Sequence, residues 1–79
     1  MKQYIATFFS HFGAVRFQRL CVERGYEAQL APVPRRLSSS CGTCVKYEGE
    51  CPEATPKEVE QIVAVMDDGY KQLYRAENS

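Results

Sequence analysis

The sequence lacks tryptophan, has a single histidine and carries a formal net charge of zero over its 79 residues. It contains no apolar run close to the ~20 residues that a transmembrane helix needs. It also has no excess of positive charge, which is the usual electrostatic sign of a nucleic-acid-binding domain. We therefore expect neither nucleic acid nor a membrane among the partners of this protein.

No secretory signal is visible near the amino terminus, because Ser10 and His11 interrupt the first apolar stretch before a cleavage site could follow. We therefore expect a cytoplasmic protein, in which the four cysteines are thiols or metal ligands rather than a disulfide framework. The length allows one domain at most. We expect this domain to cover residues 1–79, with residues 1–75 folded and residues 76–79 forming a tail.

Charge is distributed unevenly along the chain. Residues 1–46 hold seven Lys/Arg and two Asp/Glu, a balance of +5, whereas residues 47–79 hold three and eight, a balance of −5. This asymmetry indicates a dipolar surface or an anion site in the first half. The alternative is that the two halves are joined by ordinary ion pairs.

The pattern of apolar residues predicts four strands and two helices. The strands are expected at residues 3–9, 26–33, 43–48 and 70–75. The first helix is expected to begin at His11, because Ser10 is a good cap, and to stop at Gly25. Its apolar stripe includes Cys21, which we expect to be buried.

The second helix is expected to begin within residues 55–58, which read Thr-Pro-Lys-Glu. Threonine is the cap, proline takes the first helical position and glutamate follows three residues after the cap. Four apolar residues then recur at helical spacing, namely Val59, Ile62, Val63 and Met66. Asp68 and Gly69 are expected to end this helix.

The resulting order, β-α-β-β-α-β, is typical of a ferredoxin-like α+β sandwich, with a four-stranded antiparallel sheet and two helices on one face. We take the strand order 4-1-3-2 from that fold. Right-handed crossovers place the loop between the second and third strands at the end of the sheet where the first helix begins. The end of the second helix is expected there too.

The most specific local feature is Cys41-Gly42-Thr43-Cys44. Two thiols at this spacing can form a disulfide, share a metal or tune each other's acidity. We expect the pair to enter a strand, whereas the pair of a thioredoxin-type site opens a helix. Cys41 and Cys44 are the candidate reactive residues. The alternative is that both are passive, with Cys44 packed as a small hydrophobe.

The polar loop ahead of this pair offers groups that can hold an anion. The candidate anion-binding residues are Arg35, Arg36, Ser38, Ser39, Ser40 and Gly42. Positive charge, hydroxyl groups, backbone N–H groups and the start of the first helix all favour the thiolate form of Cys41. The alternative for the two arginines is a solvated pair without a ligand.

A zinc site would have to combine Cys41 and Cys44 with Cys51 and His11. The sequence has no second C-x-x-C motif and no pair of histidines. In addition, the predicted topology places Cys51 at the opposite end of the sheet. We therefore expect no metal and no cofactor, and a small zinc-binding module is kept as an alternative.

Residues 32–42 read Pro-Val-Pro-Arg-Arg-Leu-Ser-Ser-Ser-Cys-Gly. This segment resembles the central motif of a family of small selenium/sulfur carrier-like proteins, which has P-x-P-R, an aliphatic residue, a short serine-rich stretch and then C-G. The similarity includes the opening strand, Phe9-Ser10 before the helix and Gly25 after it, and so covers residues 3–48.

The resemblance implies a compact α/β domain in which Cys41 holds sulfur or selenium. The other residues that fall on the same motif are Pro34, Arg35, Ser38 and Gly42. Cys44 departs from the family pattern, because that position often holds a small apolar residue.

Our leading hypothesis is a sulfur or selenium carrier rather than a stand-alone enzyme. Cys41 would receive the atom as a persulfide or selenosulfide from a donor protein, for delivery to an acceptor protein. Cys44 would resolve it by attacking Cys41, which releases the reduced atom and leaves a disulfide. The alternatives are the zinc-binding module and a non-catalytic interaction domain with structural thiols.

Overall fold

The computed structural model describes residues 2–37, 41–49 and 57–76. The elements are β1 (Lys2–Phe8), α1 (His11–Glu23), β2 (Glu27–Pro32), β3 (Thr43–Gly49), β4 (Val59–Met66) and β5 (Gly69–Arg75). The strands form an antiparallel sheet with the order β2-β3-β1-β4-β5. The fold is therefore α+β, with one helix and five strands in the described residues.

The first half of the predicted fold is confirmed. Ser10 caps α1, because its Oγ accepts a hydrogen bond from the backbone N–H of Gly13 at 3.2 Å. Gly25 follows the helix with a φ of 84°, a left-handed conformation that suits glycine. The neighbouring strands β2, β3 and β1 also lie in the expected order.

The predicted second helix is wrong, because residues 59–66 form β4 in the interior of the sheet. Both faces of this strand are covered: Ile62 packs on one side and Val63 on the other. A strand buried on both faces has apolar residues in succession, which matches helical spacing as well as strand spacing. The ferredoxin-like prediction of four strands and two helices is thus matched only in part.

The last predicted strand is confirmed as an element but has a different neighbour. A two-residue turn, Asp67-Asp68, connects β4 to β5, and Met66 pairs with Gly69 across it. β5 therefore lies at the edge of the sheet beside β4, whereas the expected order placed it beside the first strand. β4 begins beside the end of β1. The start of residues 59–66 therefore lies at the end of the sheet where α1 begins, whereas the end of this segment was expected there.

Two apolar clusters lie on the two faces of the sheet. The helix-side cluster contains Tyr4, Ala6, Phe8, Ala14, Phe17, Cys21, Val45, Tyr47, Val59, Ile62 and Ala64. The open-side cluster contains Ile5, Cys44 and Val63, with Ala31, Val33 and Leu37 packed against it. The expected burial of Cys21 is confirmed, because only 5% of this residue is exposed. Within the described residues, no helix is both long enough and apolar enough to cross a membrane.

Gly13 allows the first turn of α1 to lie directly against the residue before β4. A Cβ added at Gly13 would lie against the Cβ of Glu58, closer than carbon atoms approach in proteins, and also near the ring of Phe8. The same two segments are joined by the backbone hydrogen bond from Phe9 N–H to the carbonyl of Glu58, at 3.0 Å. A side chain at Gly13 would push these segments apart.

We expect Gly13→Ala to lower the free energy of unfolding by about 1–3 kcal/mol, because overpacking outweighs the better helix propensity of alanine. Urea denaturation measures this change. In a Glu58→Gly background, which removes the obstructing Cβ, the same substitution should cost less. Arg19→Ala, on the exposed face of α1, is the control, with an expected change within ~0.5 kcal/mol. An equal cost of Gly13→Ala in both backgrounds would contradict this account.

Candidate functional site

The candidate site lies at the end of the sheet where β1 leads into α1 and where β2 leads towards β3. The N–H of Val33 donates to the carbonyl of Gly42 at 3.1 Å, so the pairing of β2 with β3 continues into their connection. Nδ1 of His11, at the start of α1, lies 3.4 Å from Oγ1 of Thr43 at the start of β3. These contacts confirm that the connection and the helix start lie together.

Cys41 lies two residues before the start of β3 and is only partly buried. Its Sγ donates a hydrogen bond to the carbonyl of Thr43 at 3.5 Å, and its side chain packs against the helix-side cluster. Gly42 has a φ of 74°, in the left-handed region, and a Cβ there would meet nothing within 4 Å. Glycine at this position thus serves the turn that presents Cys41.

Cys44 lies on the opposite face of the sheet from Cys41. It belongs to the open-side cluster, is 0% exposed, and its Sγ donates to the carbonyl of Pro32 at 3.6 Å. Burial raises the pKa of the Cys44 thiol above its ordinary value. The positive charge of Lys46 lowers this pKa and the charge of Cys41 raises it, and both effects are smaller than that of burial. The two cysteines of the motif therefore have different environments, one accessible and one enclosed.

Cys21 is the third thiol that the structure describes. Burial raises its pKa from 9.0 to about 11, although the nearby Arg24 acts in the opposite direction. Cys21, Cys41 and Cys44 are all free thiols. Because the thiolate is the reactive form, the environments of Cys21 and Cys44 suppress their reactivity at neutral pH.

The residues of the predicted anion site are described only in part. Arg35 and Arg36 are exposed in a turn closed by the hydrogen bond from Leu37 N–H to the carbonyl of Pro34, at 3.0 Å. Within the described ranges, neither arginine makes a hydrogen bond or ion pair with Cys41. The anion-binding role of Gly42 stays a prediction, and the predicted role of Ser38–Ser40 falls on residues outside the described ranges.

His11 and Thr43 are the residues of this site that the sequence analysis did not assign to it. Thr43 links the other two side chains, because its carbonyl accepts from Cys41 and its hydroxyl contacts His11. The predicted topology contained the signal, since it placed the start of the first helix beside the Cys41 loop. At the level of sequence, the backbone N–H groups at the helix start around His11 were expected near Cys41 and the His11 side chain was a candidate zinc ligand, whereas Thr43 had no assigned role.

The described residues give no support to the zinc alternative. Among residues 2–37, 41–49 and 57–76, no group of three or more His, Cys, Asp or Glu side chains is arranged to hold a metal ion. Cys51, which that alternative also required, lies outside these ranges.

Comparison with known proteins gives one match. The sequence model of a family described as "Putative Se/S carrier protein-like" matches residues 3–75, which include both sheet edges and the whole candidate site. No curated protein and no solved structure matches the chain at a significant level.

Proposed function

Since the chain belongs to this family of Se/S carrier-like proteins, we propose that Cys41 is the residue that carries the sulfur or selenium atom. The observation that supports this proposal is the exposure of its side chain. Of the cysteines that the structure describes, Cys41 alone is not buried, and it stands at the end of the sheet in a turn rather than inside a strand. In this proposal a partner protein reaches the Sγ of Cys41 without unfolding of the sheet.

Loading is a thiol exchange reaction in this proposal. The thiolate of Cys41 attacks the terminal sulfur of a persulfide on the donor protein, a new S–S bond forms on Cys41, and the S–S bond of the donor breaks. The donor leaves as a thiolate, so there is no net oxidation or reduction. The proton released by Cys41 is available to the departing thiolate. Selenium would be carried in the same way, as a selenosulfide.

Release has two possible routes, which differ in the attacking thiol. A thiolate of an acceptor protein can attack the terminal atom of the Cys41 persulfide and take it over without oxidation. Alternatively, Cys44 attacks the Sγ of Cys41, which forms a disulfide and releases the terminal atom as hydrosulfide. The second route stays a prediction. It requires Cys44 to leave its buried position between β2 and β1, because its thiol faces the other side of the sheet.

The experiment is to incubate the reduced protein with cysteine persulfide and to follow the intact mass. We expect the wild-type protein to gain one sulfur atom, which alkylation and peptide mapping locate on Cys41. In a Cys51→Ser background, Cys41→Ser should abolish the gain, because neither of the two buried thiols, Cys21 and Cys44, is available at neutral pH. Cys44→Ala is the matched control and should load at the wild-type rate.

The same variants separate the two release routes. If Cys44 resolves the persulfide, loaded wild-type protein should release sulfide without added thiol, whereas loaded Cys44→Ala should retain it. If an external thiol performs the release, both proteins should retain the atom until such a thiol is added. Persulfide formation on Cys21 or Cys44 with Cys41 unmodified would contradict the proposal.

A further inference from the structure

Two phenylalanines are exposed beside the Cys41 end of the sheet. Phe12, in the first turn of α1, is 77% exposed, and Phe9, between β1 and α1, is 41% exposed. Both flank His11, whose ring contacts the same Thr43 that accepts the hydrogen bond of Cys41. Large exposed aromatic side chains around a reactive thiol are typical of a contact surface for another protein.

The charge around this end is positive in the described part of the chain. Arg35 and Arg36 are exposed in the turn after β2, and Lys57 is exposed just before β4. Two of the described acids lie at the same end: the carboxylate of Glu58 forms an ion pair with Arg16 at 3.3 Å, and that of Glu60 accepts a hydrogen bond from Oγ1 of Thr7 at 3.3 Å. The three cations thus have no acidic partner among the described residues, so their charge is available to an approaching molecule.

Acidic residues lie towards the other end of the sheet. Glu27 of β2 and Glu48 of β3 occupy directly opposite positions in the sheet, next to the start of β1. Asp67 and Asp68 form the turn between β4 and β5, also at the end remote from Cys41. Among the described residues, the Cys41 end of the fold is therefore richer in positive charge than the opposite end, which also carries Lys2 and Lys71.

We propose that the surface formed by Phe9, Phe12, Arg35, Arg36 and Lys57 docks the donor protein through acidic residues that surround its persulfide, with an apolar pocket for Phe12. This inference rests on the proposed function of Cys41. Complementary charge orients the donor and speeds its approach, while a buried aromatic anchor holds the complex during transfer. Direct transfer of the sulfur atom needs both thiols within bonding distance, so the contact surface has to adjoin Cys41.

Defined peptides can replace the unidentified donor in a test. One probe is a cysteine persulfide flanked by glutamates and a leucine, and the other has lysines in place of the glutamates. Rapid mixing followed by acid quench and mass spectrometry measures the rate of transfer to Cys41. We expect the acidic peptide to react at least about 10-fold faster at low salt, and the difference to shrink as salt is added.

Matched variants locate the effect on the proposed surface. Arg35→Glu/Arg36→Glu should reverse the preference between the two peptides, whereas Lys2→Glu/Lys71→Glu, with the same change of charge on remote strand residues, should keep it. Phe12→Ser should slow transfer from the acidic peptide. Val22→Ser is the control, because Val22 is 53% exposed ten residues further along α1, about 15 Å away at the helical rise. Circular dichroism checks that each variant is folded.

Free cysteine persulfide separates this inference from the function on which it rests. If free cysteine persulfide fails to load Cys41 in the wild-type protein, the proposed carrier function fails. If it loads Cys41 but the two peptides react at equal rates, the carrier function stands and the docking surface is overturned. Equal effects of the Arg35/Arg36 and Lys2/Lys71 charge reversals would likewise overturn it.

Discussion

In the folded protein at pH 7, iodoacetamide is expected to alkylate Cys41 at least about 100-fold faster than Cys44, because a buried thiol reacts only after local opening. An opening free energy of ~3 kcal/mol is sufficient for this ratio. Cys44 is 0% exposed and burial raises its pKa, so both its accessibility and its thiolate fraction are low. Quenched time points, digested and quantified by mass spectrometry, give a rate for each cysteine.

The control is the same measurement in denaturant, where the two rates should converge. Rates that already agree in the folded protein would contradict the structural assignment of Cys41 as the accessible thiol.

Cys21 is expected to make the stability of the protein depend on pH. Its folded pKa of about 11 exceeds 9.0, so the folded state holds this proton more tightly and the free energy of unfolding should fall as pH rises from 9.0 to about 11. Cys21→Ala should remove this decrease in the free energy of unfolding between pH 9.0 and about 11.

Phe8→Ala is expected to reduce the free energy of unfolding by about 3–5 kcal/mol, which is a large share of the stability of a small domain. Phe8 is 0% exposed at the centre of the helix-side cluster. Its ring lies 5.3 Å from the ring of Phe17, centroid to centroid, in a tilted arrangement. Truncation therefore removes an aromatic contact and leaves a cavity between the sheet and α1. Urea denaturation followed by circular dichroism measures the loss.

Phe12→Ala is the matched control, since it removes the same ring four residues away from a position that is mostly exposed. We expect its effect on stability to stay within ~0.5 kcal/mol. A comparable loss in both variants would show that the ring of Phe12 is packed in the protein. That result would also remove the basis for Phe12 as an anchor for a donor.

The elements that the sequence predicted correctly each have a local signal. Ser10 is a capping residue that bonds to the first turn, and Gly25 occupies the left-handed position that few other residues tolerate. The segments of β1, β2 and β3 are bounded by such signals. Their order beside one another was taken from the ferredoxin-like fold and not from any pairing visible in the sequence.

β4 was mispredicted because two local signals conflicted and the wrong one was preferred. Residues 55–58 match a helix start, and the spacing of apolar residues after it is compatible with a helix. However, Val59, Ile62, Val63 and Val65 are β-branched, which favours a strand. Asp67, Asp68 and Gly69 are also turn-forming residue types, and the chain turns back at Asp67-Asp68. Burial on both faces hid the alternation that identifies most strands.

The spacing of the two cysteines predicted a candidate motif but not the difference between their environments. Cys44 lies inside β3, whereas Cys41 lies in the turn before it, and the two side chains lie on different sides of the sheet. Gly42 separates them with a left-handed φ of 74°, so the alternation of side chains along a strand does not extend to Cys41 and could not be used to place it. The contact of His11 with Thr43 could not be predicted either, because it joins residues 32 positions apart and depends on the exact register of the sheet.

The position of β1 in the middle of the sheet has a consequence for synthesis of the chain. β1 is made before both of its hydrogen-bonding partners, β3 and β4, which end at Gly49 and Met66. Until the ribosome has released these residues, both edges of β1 lack their partners and its buried side chains have only α1 to pack against. The sheet therefore cannot close around β1 until β4 has been made, and until then the nascent chain exposes the unpaired edges of this strand to aggregation.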